Sequence, residues 1–406
     1  MTELLESIEA KLGFPVEIVS EGKARIVIPR MNHYRRPDGV FEPAWAPVFY
    51  NPRMAFNRDI AVVFARAYSK LKGLARLIVV EPLAGTGVRS IRYALEANAK
   101  VYASDIDSKA VKLAKVNIEI NNVDGNVLIE KMDANSYMYR LRENGVRVDL
   151  VDIDPFGSPI PFIDAAAQVL KNGGVLAVTA TDTAPLTGTY PHALQRKYDV
   201  IPGRTAWDKE QAVRILVGYI ARRLAHYEYA SRVLLAYYAD HYVRAYIEVV
   251  RGAKRALETL KALSYGVYCP SCCFTGFTKQ FTARCPYCHS QLVVVGPLYS
   301  GPLGDRSILE KMIEEVEKDE WITDKKRALK LLNQLIEEID LPKPYYRLDR
   351  ICSVLRRNMP KVADVISALK SRGFKAAKTH FDPRGFKTNA PHVIVVNTVL
   401  QLTLVR

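Results

Sequence analysis

The sequence predicts an α/β protein: a doubly wound parallel sheet forms the larger part, and a smaller α+β domain follows it. Three observations carry that prediction. From about residue 74, short apolar, β-branched runs alternate with helices of ten or so residues, as in a parallel sheet covered on both faces. A glycine turn, Gly85-Thr86-Gly87, separates the first of these strands from the helix after it. Past residue 250 the alternation stops, and paired cysteines and then a basic tail take its place.

The elements follow in order. Asn51-Pro52 offers a cap and a first-turn proline to a helix through AFNRDIAVVFARAYSKL. LARLIVVEP, KVYASDID and VDLVDIDPF read as buried strands, SIRYALEAN and VKLAKVNIEI as helices, and residues 172–181 as a further strand. An aromatic-rich segment, SRVLLAYYADHYVRAYIEV, precedes the cysteines, and helices are expected at about 305–339. Leu341-Pro342-Lys343-Pro344 breaks the pattern and reads as a linker. In the tail, two helical stretches precede GFKAAKTHFDPRGFKTNAPHVIVV, read as a hairpin turning at Asp382–Gly385, which suggests a winged-helix-like module over 341–406.

The 406 residues suggest two or three domains at about 150 residues each. We divide the chain into residues 1–250 and 251–406. Hydrophobic residues make up 49% and charged residues 25%, which rules out a mostly disordered or collagen-like chain. No apolar run reaches the roughly 18 residues of a membrane span, and the acidic start MTELLESIEA does not resemble a signal peptide. A cytoplasmic protein that keeps clear of membranes, with no obligate protein partner, is expected.

The formal charge of +15 makes a polyanion the first suspected partner. Residues 341–406 hold 13 basic and 3 acidic side chains, whereas 305–340 hold 7 and 11. An excess gathered in one module is the footprint of phosphate binding.

Cys269-x2-Cys272 and Cys285-x2-Cys288 form two knuckles able to place four thiolates around one tetrahedral ion. The arrangement resembles a zinc ribbon, spanning 266–292. Four thiolates leave no open position for substrate, so the zinc is expected to be structural. Cys273 and His289 are read as bystanders, and spacing alone leaves an iron–sulfur cluster open.

Glu81-Pro-Leu-Ala-Gly85-Thr-Gly87 lies where a nucleotide-like cofactor meets the edge of a parallel sheet. The dinucleotide fingerprint wants glycine or alanine at the place of Ser90, which weakens a dehydrogenase reading. An acid before the glycines, with Asp105 ending the next strand, resembles S-adenosylmethionine-dependent methyltransferases instead. Asp105, or Asp107 beside it, is placed to accept ribose hydroxyls, and Asp133-Ala134 lies at the next strand end, toward the adenine.

Asp154-Pro155-Phe156-Gly157 ends another buried strand and resembles the motif of enzymes that methylate exocyclic amines. An aryl amine shares its lone pair with the ring. It becomes a nucleophile only when acceptors hold its protons and orient it. Asp154 supplies one acceptor, the Pro155 carbonyl another, and Phe156 a face for stacking.

Longer runs make the resemblance specific. They are Pro47-Val-Phe49-Tyr-Asn51-Pro52-Arg53-Met, Asn57-Arg58-Asp59, Ala84-Gly85-Thr86-Gly87-Val-Arg89, Asp154–Pro159, Thr179–Asp182, Tyr237–Tyr242 and Thr379-His380-Phe381. On these, over essentially its whole length, the chain resembles the tRNA guanine-26 N2-dimethyltransferase family, archaeal members above all. The resemblance implies a Rossmann-like methyltransferase domain and a C-terminal tRNA-binding domain, with S-adenosyl-L-methionine as cofactor and tRNA as partner. It implies that Arg58, Gly85, Gly87, Arg89, Asp105, Asp133 and Ala134 line the cofactor site. It makes Asp154 the catalytic acceptor, with Phe49 and Phe156 bracketing the guanine. On residues alone, Phe49 reads as a core aromatic and Arg58 as a helix-surface charge. One departure stands out: the broader amine-methylating pattern puts two residues between acid and aromatic, and here only Pro155 intervenes. A dehydrogenase, a non-catalytic RNA-binding protein and a methyltransferase for ribosomal RNA or DNA adenine are the alternatives.

Overall fold

A computed structural model describes residues 2–404. The chain opens with α1 (Thr2–Leu12) and the antiparallel hairpin β1 (Val16–Glu21) and β2 (Ala24–Pro29). Then come α2 (Ala55–Lys72), β3 (Leu77–Glu81), α3 (Val88–Ala97), β4 (Ala99–Asp105), α4 (Ser108–Ile120) and β5 (Val127–Lys131). They are followed by α5 (Ala134–Glu143), β6 (Val148–Ile153), α6 (Ile163–Val169) and β7 (Leu170–Ala180).

The second half runs α7 (Thr183–Leu186), α8 (Pro191–Tyr198), α9 (Asp208–Ala225), β8 (Tyr229–Ala239), β9 (Tyr242–Arg251) and α10 (Ala253–Lys261). The cysteine region holds β10 (Leu263–Tyr268), β11 (Thr275–Thr278) and β12 (Val293–Tyr299). Next are α11 (Arg306–Lys318), α12 (Lys325–Ile339), β13 (Tyr346–Arg347), α13 (Leu348–Leu355), α14 (Val362–Ser371), β14 (Ala376–Lys378), β15 (Gly385–Thr388) and α15 (His392–Leu404).

Seven strands form one mixed sheet in the order β5-β4-β3-β6-β7-β9-β8. The pairs β3/β4, β4/β5 and β3/β6 are parallel, and the hairpin β8/β9 is antiparallel. Every residue of β6 is buried, as expected of a central strand covered on both faces. Its two acids are compensated: Asp149 accepts from the Ile78 amide at 2.9 Å and pairs with Lys171, while Asp152 belongs to the site described below.

Two compact units share the chain. One holds residues 1–154, 164–176 and 310–329, and the other 155–163, 177–309 and 330–406. In the first, Ile8, Leu12, Val16, Val27, Leu113 and Val116 form one cluster that seats α1 and the β1/β2 hairpin against α4. In the second, Tyr346, Ile351, Val365, Leu369, Phe386, Val395 and Val399 form the core of the C-terminal module.

Two expectations for the tail change. Ala376–Lys378 pairs antiparallel with Gly385–Thr388, but His392–Leu404 is a helix rather than more of the hairpin. Pro391 cannot donate to a strand ladder, and its fixed φ suits a first helical turn. The apolar run after it buries Val395, Thr398 and Val399 at helical spacing. Nor is residues 341–344 a free linker. Leu341 is buried, and the Pro342 carbonyl accepts from Arg214 Nη2 at 2.8 Å, because a guanidinium only 1% exposed must find acceptors inside the protein.

Candidate active site

The strand order changes direction at β3: β4 and β5 lie to one side, β6 and β7 to the other. Such a switch point leaves a crevice at the carboxyl ends of the strands. Glu81 ends β3, Asp105 ends β4, and Asp154 follows β6 directly. The sheet therefore delivers three of the acids singled out in the sequence to one edge.

The glycine turn fits a close approach of backbone. Gly85 has φ +54°, and a side chain there would meet the Phe49 carbonyl at 3.4 Å; at Gly87, φ +77°, it would meet Ala114 at 3.1 Å. That contact brings the Phe49 backbone to the loop, although on residues alone its half-buried ring reads as a core aromatic. Asp105 holds the turn from the other side: one oxygen accepts from the Gly85 amide at 2.8 Å and the other from the Asp107 amide at 2.9 Å. Asp107 and Asp133 cap α4 and α5, accepting from the amides of Lys109 and Ser136. Ala134 is buried at the start of α5.

Arg89, 3% exposed, gathers the remaining acids. Its Nη2 donates to Asp154 Oδ2, its Nη1 donates to Asn57 Oδ1 at 3.0 Å and lies 3.4 Å from Asp152 Oδ2, and its Nε lies 3.4 Å from Glu81 Oε1. The Tyr93 hydroxyl donates to Asp152 Oδ2 at 2.5 Å. Asp154 keeps 18% of its side chain exposed, and its Oδ1 has no partner among the described residues. Thus one oxygen is anchored and the other is available as an acceptor. Phe156, two residues on, is 72% exposed. The loop that carries it is pinned by Gly157: its amide donates to Thr181 Oγ1 at 2.8 Å and its carbonyl accepts from the Thr181 amide at 2.9 Å.

Arg58 is not a helix-surface charge. It is 6% exposed and grips Glu21 with two donors, Nε to Oε1 at 2.6 Å and Nη2 to Oε2 at 2.5 Å, and reaches the Asn51 carbonyl at 3.1 Å. Burial works against ionising Glu21, but Arg58 and Arg92 outweigh it and hold the carboxyl down to about 2. Arg92 also pairs with Asp59 and Glu96, which binds the β1/β2 hairpin to α2 and α3.

Glu81 behaves oppositely. Complete burial pushes its carboxyl up to about 8, reinforced by Asp152 and Asp154, against the pull of Arg89 and a hydrogen bond from Ser90. Arg89 is within 4 Å of Glu81, yet one guanidinium shared among three carboxyl groups does not offset the burial of Glu81. A carboxyl neutral in the fold and charged in the unfolded chain stabilises fully below about 4.5, and the benefit is lost as pH rises to about 8. Glu81→Gln is therefore expected to match wild type in Tm near pH 5 and exceed it by several degrees near pH 8.5. Identical Tm–pH curves for the two proteins would contradict this.

The four cysteines form a second centre. The thiols of Cys269, Cys272, Cys285 and Cys288 lie within 4.8 Å of one another. The two knuckles repeat one geometry. The Cys273 amide donates to the Cys269 carbonyl at 2.8 Å and the His289 amide to the Cys285 carbonyl at 3.0 Å. Cys273 and His289 sit at φ +63° and +60°, turning the chain after each knuckle. Four thiols and no competing carboxylate suit a tetrahedral ion, and the residues present fit zinc.

Comparison with known proteins shows what kind of chain carries these features. A family model described as N2,N2-dimethylguanosine tRNA methyltransferase matches residues 22–400. The chain belongs to that family. A tRNA (guanine(26)-N(2))-dimethyltransferase of Methanothermobacter thermautotrophicus is 40% identical over 361 residues, covering 88% of this chain and 93% of its own. The Pyrococcus horikoshii protein of the same name is 39% identical over 400 residues, 95% of this chain and 98% of its own. The solved structure of Trm1 from Pyrococcus horikoshii with S-adenosyl-L-methionine superposes with a TM-score of 0.81, covering 94% of this chain and 99% of that one.

In this N2,N2-dimethylguanosine tRNA methyltransferase family member, the sequence alone assigned no site role to Glu21, Asn57, Tyr93 and Asp152, which position the residues it did name. Asp152 gave a signal, an acid inside an otherwise apolar strand. Glu21 gave none, since its partners lie 37 and 71 residues away.

Proposed function

We propose that this chain transfers methyl groups from S-adenosyl-L-methionine to the exocyclic N2 of guanine 26 in tRNA, twice, yielding N2,N2-dimethylguanine. The observation that carries the reading is Asp154: a carboxylate at the switch point with one oxygen anchored by Arg89 and the other free. The family match and the names of the relatives support the substrate.

Arg58, Gly85, Gly87, Arg89, Asp105, Asp133 and Ala134 are the residues we assign to the cofactor. The fit has an observable sign: Asn57 Nδ2, buried on the residue that accepts from Arg89, has no partner among the described residues. S-adenosylmethionine, when bound, supplies an electrophilic methyl group on a cationic sulfur. The carboxylates of Asp105, Asp152 and Asp154 along this edge favour such a positive ligand. Asp154 Oδ1 accepts one N2–H, the Pro155 carbonyl the other, and together they turn the nitrogen lone pair out of the ring. Phe49 and Phe156 hold the extruded base, whose unstacking costs a few kcal/mol, offset by roughly 1–3 kcal/mol of new stacking. Each transfer would form an N2–CH3 bond as the S–CH3 bond breaks and release one N2 proton, which Asp154 is placed to take, so after the first a single N2–H remains for Asp154 to hold. After two none remains, so the product loses that hydrogen bond and is released.

We assign methyl transfer to residues 1–250 and tRNA binding to 251–406, with a structural zinc on Cys269, Cys272, Cys285 and Cys288 and a winged-helix-like tail. No helix among the described residues is long and apolar enough to cross a membrane, and we place the protein in the cytoplasm with its tRNA. Deleting the tail would not test its role cleanly, since the buried Lys387 pairs with Glu210 at 2.7 Å. Arg356, Arg357 and Lys361 are exposed and form no ion pair among the described residues. Replacing all three by alanine is expected to flatten the slope of log affinity for tRNA against log salt by about 2, with Tm unchanged. An unchanged slope would remove these cations from the docking face.

The test of the reading is labelled methyl transfer to unmodified tRNA followed by nucleoside mapping. Two labels on N2 of guanine 26 are expected; label on adenine, or at another guanine, would overturn it.

A further inference from the structure

Beyond the methyl-transfer loop, residues 187–204 present a surface that neither the motifs nor the tail charge had singled out. Tyr190 is 60% exposed, at the entrance to α8. The helix buries Leu194 and Tyr198 and exposes His192, Gln195 and Arg196, a single solvent face at helical spacing. A side chain at Gly188 would lie 2.4 Å from the Gly203 carbonyl and 3.0 Å from Arg204 Cα, so Arg204 sits beside the turn that leads to Tyr190. Arg196 and Arg204 are exposed and have no ion-pair partner within 4 Å among the described residues. The segment contains one acid, Asp199.

This surface is tied to the loop that follows Asp154. The Tyr198 hydroxyl donates to Asp182 Oδ1 at 2.8 Å and lies 3.2 Å from the Ser158 hydroxyl. Lys197 pairs with Asp182 at 3.0 Å, and Thr181 pins Gly157. Arg222 Nη2 donates to the Tyr198 carbonyl at 2.8 Å, which fixes the helix end and takes that arginine out of the free surface charge. Phe156, Ser158, Asp182 and α8 thus form one hydrogen-bonded frame carrying two exposed aromatic rings.

An exposed ring and unpaired arginines on one short segment are the combination that holds single-stranded nucleic acid: the ring stacks a base and the cations take the phosphates. A folded protein partner would be served better by an apolar patch, and α8 exposes polar residues. We propose that residues 187–204 dock the RNA strand next to the target guanine, with a neighbouring base stacked on Tyr190 and its phosphates held by Arg196 and Arg204. The proposal rests on the reading of the chain as a tRNA methyltransferase. It adds the surface that keeps the strand open once the guanine has left its stack.

The experiment compares wild type, Tyr190→Ala, Tyr190→Phe and the double variant Arg196→Ala/Arg204→Ala, each with its zinc. Binding of unmodified tRNA, steady-state methylation, S-adenosylmethionine affinity and Tm are measured. Tyr190→Ala is expected to weaken tRNA binding and raise KM by about 5- to 100-fold, and Tyr190→Phe to stay within about twofold of wild type. The double arginine variant is expected to lower the salt slope by 1 to 2. Cofactor affinity and Tm are expected to hold throughout. Unchanged tRNA affinity in Tyr190→Ala, or an equal loss in Tyr190→Phe, would overturn the proposal. Absence of N2 methylation by wild type would overturn the functional reading alone, because the binding arm reads the surface without turnover.

Discussion

Asp154→Ala is expected to lower kcat for methyl transfer by about 10²- to 10⁴-fold while cofactor and tRNA affinities stay within a few-fold. The size follows from what the carboxylate does. In the mechanism we propose it is the acceptor that keeps N2 turned toward the methyl group, and an aryl amine without such an acceptor remains conjugated and unreactive. The fold should tolerate the change, because Arg89 keeps Asp152 and Glu81 within 3.4 Å. Arg89→Ala would be harsher, leaving the carboxylates of Asp152 and Asp154 without their shared cation in a buried site. Asp154→Asn keeps an oxygen acceptor but loses the charge that pairs with Arg89, and an intermediate rate is expected. Asp154→Ala turning over at the wild-type rate would remove the assigned role.

Removing the metal is expected to have the largest effect on stability. The cluster around the four cysteines buries a small apolar set, Val267, Cys269, Cys285 and Leu292, too little to hold the two knuckles together without the metal. Structural zinc in comparable small sites contributes on the order of 10 kcal/mol. The damage should spread. Phe274 and Tyr287 pack their rings on His392, at 5.6 and 4.8 Å between centroids, and His392 opens α15, the last helix of the C-terminal module. Cys272→Ser or chelation is therefore expected to abolish the one zinc per chain, lower Tm by ten degrees or more and weaken tRNA binding, since α15 belongs to the basic module. A metal-free protein with the wild-type Tm would contradict the assignment, and iron in place of zinc would change the cluster but not the four ligands.

The legible part of the fold was the part governed by short-range pattern. Strands such as LIVVE and VDLVDI announce themselves because a strand buried on both faces needs an apolar run, and the glycine turn announces itself because few residues tolerate its φ. The cysteine ligands were readable because two-residue spacing fixes knuckle geometry. What stayed hidden was set by distant partners or by a local ambiguity. Asn57, Arg58 and Asp59 lie within an apolar helix, and their burial depends on Glu21, Arg89 and Arg92 from other elements. The HVIVV run satisfies strand and buried-helix patterns alike, and Pro391 decides between them. Asp154 was visible as a motif. The anchoring of one of its oxygens by Arg89, which leaves the other for the base, was not.

The central claim is that this second oxygen holds the guanine amine. The most direct measurement is a crystal structure of the protein with a non-reactive S-adenosylmethionine analogue and a tRNA carrying guanine 26. The account predicts Asp154 Oδ1 at hydrogen-bond distance from N2, about 2.7–3.2 Å, with Oδ2 still on Arg89. A guanine seated beside the cofactor with both Asp154 oxygens turned away from its amine would contradict it.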